Sequence, residues 1–540
     1  MSDNLKHFLI ALPLTLIIVA GALIGYSGYA YSKLTDTQKE VAGEGDEVKI
    51  GLPFEIAGIY PDTESELTTI NVNSSFFEGL TKFDKNFRVT PNLAESWNNP
   101  DDKTWKIYLK KNVKFHDGTV LKASDVKFTF DYLKEKGYPL SDYLSAVEEV
   151  KTVDERTVDI KTKEPYPILM NKLVNIFILS EKNVKEKGIE KPVGTGPYKF
   201  VEWKENDHIT VERNNDYHGE KPKMKKVTFI PAEDEVGLSE KLNKGEIDIT
   251  SFYSSTEAID NAKKNTKLNI KTASDYGVTF FMPNYDAGKA GTNLDKNPLL
   301  EKKARQAVYY GIDIEKFILA TAKGVATPAS QLTTSAVFGY NSEIKRYPYD
   351  AEKAKLLLKE AGFENGFEIT ILAQKGRTKD VEELTQELSK IGVKVKPDFG
   401  SSPEEMFGKI SEKNYSFILL NWANESGDSS DFIDSILKTD GSSNLSGYSN
   451  KEIDDLAVKA ASTMDQKKRK EYMGKTLKIV SDEAAFIPLI IQKHHFAFSE
   501  NLLFEPRADT LIKAEDLAVK KYETVKKPTF IKYVMGKIGL

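Results

Sequence analysis

The stretch FFEGLTKFDKNFRVTPNLAESWNNPDDKTWKIYLKKNVKFHDGTVLKASDVKFTF, Phe76–Phe130, decides how the fold of this chain is read. Within it, TWKIYLKKNVKF (Thr104–Phe115) alternates apolar and polar residues, the period of a half-buried strand. The spacing then becomes helical, and Ser124, opening SDVKFTF, reads as the N-terminal cap of a helix over Ala123–Lys136. Strand alternation returns in RTVDIKT (Arg156–Thr162) and HITVERN (His208–Asn214). Helices are expected over Glu301–Thr321, Asp350–Ala361, Lys379–Ile391 and Lys451–Lys478. Asp350–Glu352 gives one of them an acidic start, and Gly362 supplies its stop. Strands interspersed with helices predict α/β lobes, and no repeat indicates a solenoid or propeller.

A chain of 540 residues is too long for one hydrophobic core, so two or three domains are expected. Apolar residues at 40% and charged residues at 29% indicate a soluble globular body. The 76 Lys+Arg against 81 Asp+Glu, net charge -5, give no reason to expect a nucleic-acid partner. There is no cysteine, which excludes disulfides, thiol catalysis, cysteine-zinc sites and a lipid-modified N-terminal Cys. The 6 histidines are scattered, and His494-His495, adjacent on a strand, point to opposite faces; no protein-built metal site and no cofactor are expected. A peptidase is disfavoured by the lack of a G-x-S-x-G elbow, a catalytic Cys and a zinc motif. The Gly194-Thr195-Gly196-Pro197-Tyr198 turn lacks the Lys-Ser/Thr of a phosphate loop.

Phe8–Tyr29 (FLIALPLTLIIVAGALIGYSGY) is uncharged and long enough, as a helix, to cross a hydrocarbon core of about 30 Å. It reads as a retained membrane anchor, with cleavage near Gly28 or Ala30 as the alternative. Lys6 and His7 precede it and acids follow, which places the body outside the cytoplasm. Thr35–Asp46 reads as a flexible tether, and the terminal KKPTFIKYVMGKIGL (Lys526–Leu540) as a basic tail suited to a membrane surface or an importer.

Four ordered blocks resemble the family 5 extracellular solute-binding proteins, the peptide- and nickel-binding receptors of ABC importers. The first is Phe76–Phe130, with E-G-L, P-x-L-A-x-S-W and F-H-D-G-x-x-x-x-A-x-D-V. The second is Val193–Phe229, with G-T-G-P-Y and N-x-x-Y. The third is Ala304–Phe317 followed by Tyr349–Phe363, and the fourth Asn421–Leu437 followed by Asn444–Ala460. The resemblance runs from about Val48 to Lys520. It implies a two-lobed periplasmic-binding-protein-like fold, with lobe I from 47–87, 192–277 and 488–525, an inserted subdomain at 88–191 and lobe II at 278–487. Residues 1–34 would be anchor or signal, 35–46 tether and 526–540 tail. Crossings are expected near Tyr276–Asn284 and Ile487–Gln492, with hinge closure on the ligand. The implied partners are a peptide, ABC permease and ATPase subunits and the membrane, around a monomeric body. A metal chelate or a pheromone-signalling role stays open as alternative.

In peptide-binding members a W-x-x-D-x-x-D pattern supplies a carboxylate for the peptide's N-terminal ammonium. Here Trp422-Ala423-Asn424-Glu425-Ser426-Gly427-Asp428 puts Glu425 at that position, one methylene longer than Asp. Asp428 reads as a cap for the helix starting near Ser430, and Trp422 as pocket wall or core. Asn421 and Asn424 suit hydrogen bonds to a ligand backbone added as a strand. Tyr60 and Glu66, after the first strand, match the family's cleft mouth, as does the turn holding Thr195, whose glycines serve backbone geometry first.

Overall fold

A computed structural model describes residues 37–60 and 66–526, apart from 190, 254, 289 and 324. The apolar run Phe8–Tyr29 and residues 527–540 of the basic tail lie outside the described residues. Among those described, no helix is long and apolar enough to cross a membrane.

The chain divides into two compact units. One contains strand Thr37–Gly43, paired antiparallel with Ala518–Val525 so that Thr37 faces Val525 and Gly43 faces Val519. Gln38 Nε2 donates to Thr524 Oγ1 at 3.0 Å, and Lys520 lies 3.4 Å from Glu40. Residues 37–43, read above as part of a flexible tether, form a strand. Gly and charged residues look flexible locally, but a strand from the far end of the chain satisfies their backbone groups.

The other unit is built on three larger sheets and a two-stranded one, Thr81–Phe83 with Val89–Pro91. The first has seven strands, ordered Leu268–Ser274, Lys493–Ser499, Ile249–Phe252, Gly45–Leu52, Met224–Pro231, His208–Arg213 and Tyr198–Lys204. The second has six, ordered Thr327–Pro328, Ile487–Ile491, Gly277–Pro283, Phe417–Ala423, Phe367–Gln374 and Val393–Gly400. In Gly277–Pro283, Phe281 packs into one core while Phe280 and Met282 pack into another. Both faces of the sheet are covered at this strand, which is why Gly277–Pro283 is buried along its whole length. A four-stranded antiparallel sheet, Ala94–Asp101, Thr104–Leu109, Thr157–Thr162 and Val147–Thr152, shares a core with helix Ala123–Lys136 through Ile107, Ile160, Val126 and Phe130.

The chain passes from the first sheet to the second at Asp275–Tyr276 and returns at Gln492. The two crossings are tied together, since the Asp275 N–H donates to the Gln492 carbonyl at 2.9 Å. The Asp275 carboxylate accepts the Gly277 N–H at 3.0 Å, fixing the bend.

Helix Ala123–Lys136 ends on Gly137 at φ +63°, but its N-terminal cap is Lys122 rather than Ser124. Asp125 reaches back to accept the Lys122 N–H at 2.8 Å. Asp350 caps Ala351–Glu360 through the Lys353 N–H at 2.9 Å, and Gly362 follows at φ +85°. Glu301–Thr321 divides into Lys302–Tyr310 and Ile314–Ala322, with Asp313 capping the second. Lys451–Lys478 divides into Lys451–Ser462 and Gln466–Asp482, capped by Asp465. In both cases an aspartate inside a continuous apolar period takes free N–H groups and starts a new helix.

Candidate functional site

Strand Phe417–Ala423 runs parallel to Phe367–Gln374 and leads into the loop 424–429 beside the crossing, where Ala423 pairs with Gly277. Loops at the carboxyl ends of parallel strands are the usual place for ligands in α/β sheets. The loop turns at Gly427, φ +69°, whose N–H donates to the Asn424 carbonyl at 2.9 Å. A Cβ there would stand 3.2 Å from the Phe87 carbonyl oxygen, so the turn favours glycine on both conformational and steric grounds.

Three acids follow Trp422 in this segment, and their surroundings differ. Asp428 is buried and doubly bonded to buried Arg469, at 2.5 and 2.8 Å, and also accepts the Ser430 N–H at 2.9 Å. Asp431 pairs with Lys172 at 2.8 Å and accepts the Ser426 N–H at 2.8 Å. Asn171 Nδ2 donates to the Ser426 carbonyl at 2.7 Å, so the loop is held against helix Leu169–Lys172. Glu425 has no ion-pair partner among the described residues; its side chain meets water and lines a cavity of about 290 Å³. Burial within the surrounding protein, with help from Asp431, raises its pKa against the opposing pull of Lys172.

Glu78, which is buried and fully engaged, also lines the cavity. It accepts from Thr195 Oγ1 at 2.9 Å, Tyr217 Oη at 2.9 Å and His218 Nε2 at 2.8 Å. Burial alone would raise its pKa, but His218, Tyr217 and Thr195 together hold it below the ordinary value. The Gly194–Tyr198 turn packs directly on Phe76. A Cβ at Gly194 would lie 1.9 Å from the Phe76 carbonyl oxygen, and one at Gly196 2.7 Å from its carbonyl carbon. His116 donates its backbone N–H to the Gly194 carbonyl at 2.8 Å, and its Nε2 lies 3.1 Å from the Gly196 carbonyl; burial pushes its pKa down to about 4.

Of the residues singled out from the sequence, Glu425 lines the cavity and Thr195 reaches it through Glu78. Asn421 is exposed and accepts from Thr279 Oγ1 at 3.2 Å. Trp422 is half-buried, edge-on to Phe432 at 6.3 Å, with its indole N–H buried and without a hydrogen-bond partner. Asn424 is fully buried, with neither amide atom of its side chain partnered. The Tyr60 carbonyl accepts from Asn73 Nδ2 at 3.3 Å. Glu66 caps helix Leu67–Asn73, its carboxylate taking the Thr68 N–H at 2.6 Å, the Thr69 N–H at 2.7 Å and Thr69 Oγ1 at 3.0 Å. That carboxylate is committed to the cap. His495 is buried with its pKa down at about 4, and no group of three or more His, Cys, Asp or Glu among the described residues is placed to hold a metal.

Sequence reasoning missed Glu78, Tyr217 and the charged segment Arg507–Asp516 as cavity walls. Glu78 and Tyr217 belong to the E-G-L and N-x-x-Y motifs, so their presence was visible but their convergence was not.

Two α/β lobes joined by bonded crossings, with a charged cavity at the junction, define a bilobal solute receptor. The chain belongs to the bacterial extracellular solute-binding proteins, family 5, whose middle-region model matches residues 88–444. It is a non-enzymatic substrate-binding protein of the ABC-importer class, working outside the cytoplasm. A glutathione-binding protein GsiB of Pectobacterium atrosepticum is 29% identical over 491 residues, 87% of this chain and 93% of that protein. The dipeptide-binding protein of Escherichia coli K12 is 28% identical over 453 residues, 76% of this chain and 82% of its own. Among solved structures, the ABC-transporter substrate-binding protein CtaP of Listeria monocytogenes superposes with a TM-score of 0.76 at 26% identity, covering 88% of this chain and 99% of its own. HbpA2 of Haemophilus parasuis, at 23% identity and TM-score 0.79, covers 88% of this chain and 100% of its own and shares the fold.

Proposed function

We propose that the cleft captures peptides by their free N-terminal ammonium, with Glu425 as the counter-charge, and delivers them to ABC permease and ATPase subunits. The observation that carries this reading is the contrast within one segment: Asp428 and Asp431 each have a cation, while Glu425 has none among the described residues and lines the cavity. A carboxylate whose ionised form is disfavoured in the protein gains from an incoming cation, because charge-assisted bonds favour that ionised form. Asn424, with both amide groups buried and unpartnered, is the candidate donor and acceptor for the ligand main chain; Asn421 and Trp422 flank it. Dipeptide- and glutathione-binding relatives support a peptide ligand. Phe8–Tyr29 is proposed as the anchor that holds a monomeric body at the membrane.

Titration calorimetry with a peptide and its Nα-acetyl derivative tests the reading. Loss of binding on acetylation, and on Glu425→Ala, is expected; equal binding of both peptides by both proteins overturns it.

A further inference from the structure

The cavity beside Glu425 holds many charges, and several of them are engaged by neighbours. Arg507 bonds Asp509 at 2.7 Å and Asp516 at 3.0 Å; Lys513 donates to Ser74 Oγ at 2.6 Å; Glu78 takes its three donors. Between these polar groups lies a run of rings. Phe83 and Phe87 have centroids 4.4 Å apart, Phe87 and Tyr276 4.8 Å, and Phe77 stacks on Phe177 at 6.3 Å. All of these rings line the same cavity as Glu425. The loop fixes the spacing: a Cβ on Gly427, two residues beyond Glu425, would stand 3.3 Å from the edge of the Phe83 ring. A peptide whose ammonium meets Glu425 shares its cavity with these rings.

We propose that this cavity is a subsite for the first side chain of the peptide, selecting a large apolar or aromatic residue. The inference rests on the ammonium reading above. Rings supply apolar area and edge-to-face contacts to an incoming aromatic group. At about 290 Å³ the cavity is close to the lower bound of about 300 Å³ for small-molecule sites, which suits one bulky side chain rather than a long segment.

The test is calorimetry on the full protein, freed of bound ligand by unfolding and refolding, with tetrapeptides Xaa-Ala-Ala-Ala in which Xaa is Phe, Ala, Lys or Glu. The Phe peptide is expected to bind about tenfold or more tighter than the others, from burial of one ring. In Phe83→Ala the Phe/Ala affinity ratio should fall toward one; because Phe83 is half-buried, Phe83→Leu provides a second, better-packed variant in which the ratio should fall less. Equal affinities for Phe and Ala peptides, or a tighter Lys peptide, overturn the subsite. Nα-Acetyl-Phe-Ala-Ala-Ala separates the two claims. If acetylation removes binding but Phe and Ala bind alike, the subsite fails and the ammonium contact stands; if the acetylated Phe peptide binds undiminished, the ammonium contact fails.

Discussion

Glu78 and Glu425 line one cavity from different parts of the chain, and they are opposites. Glu78 is enclosed by three donors that lower its pKa; Glu425 meets water, has no ion-pair partner among the described residues and has its pKa raised. A carboxylate whose partners are all supplied by the fold is part of the fold. One whose partner is missing is left open to a partner from outside the chain. Asp428, a few residues from Glu425, shows that closeness in sequence does not decide which kind an acid becomes, since Arg469 takes it wholly into the structure.

The largest way to break this contrast is Glu78→Ala. Removing it leaves Thr195, Tyr217 and His218 without their buried acceptor, and stability should fall by about 3 kcal/mol or more, read from denaturant unfolding. Glu425→Ala should leave that unfolding midpoint almost unchanged and instead weaken binding of free-amine peptides by about 2–4 kcal/mol, measured by calorimetry. If Glu425→Ala unfolds the protein as Glu78→Ala does, the two acids are not different in kind. Gly427→Ala should cost about 1–2 kcal/mol in stability, because alanine at φ +69° must also press on the Phe87 carbonyl, and should weaken ligand binding by displacing the loop.

The smallest effect, and the sharpest for the comparison, is in pH. Glu78 has a lowered folded pKa, so its stabilising contribution is complete above the ordinary carboxylate value of 4.5 and is lost as pH falls through the folded value. Glu425 has a raised folded pKa, so the folded protein takes up that proton before an unfolded chain does. Its contribution to stability is present below the ordinary value and lost as pH rises through the folded one. Thermal melts across the acidic range should therefore show Glu78→Gln losing stability relative to the parent at neutral pH, with the gap closing on acidification. Glu425→Gln should instead be slightly more stable than the parent at neutral pH. Peptide affinity should fall on acidification starting above the ordinary glutamate range, and that fall should be absent in Glu425→Gln.

Local chemistry was enough to find helix Ala123–Lys136, the caps at Asp350 and Gly362, and the strands around Trp105, Val158 and Ile209, because these depend on period and on near neighbours in the chain. The structural role of the Gly194–Tyr198 turn was legible too, though its reason, a Phe76 carbonyl that a Cβ at Gly194 would strike, was not. Glu66, read as a cleft-mouth candidate, caps a helix; Ser124 looked like a cap and is not one. Both cases concern which of several nearby N–H groups a side chain reaches, a matter of a few ångström that backbone geometry decides.

By itself the sequence determined the α/β class, the receptor family, the lack of any thiol chemistry and the loop that carries Glu425. Periodicity, composition and motif order are properties of the chain and survive without coordinates. Only the tertiary structure decided that Thr37–Gly43 is a strand, that Asp428 belongs to Arg469 and Asp431 to Lys172, and that Glu425 is left over beside Phe83 and Phe87. Each of those outcomes is a pairing between residues far apart in sequence. A charge's role depends on whether such a partner arrives, and the fold settles that.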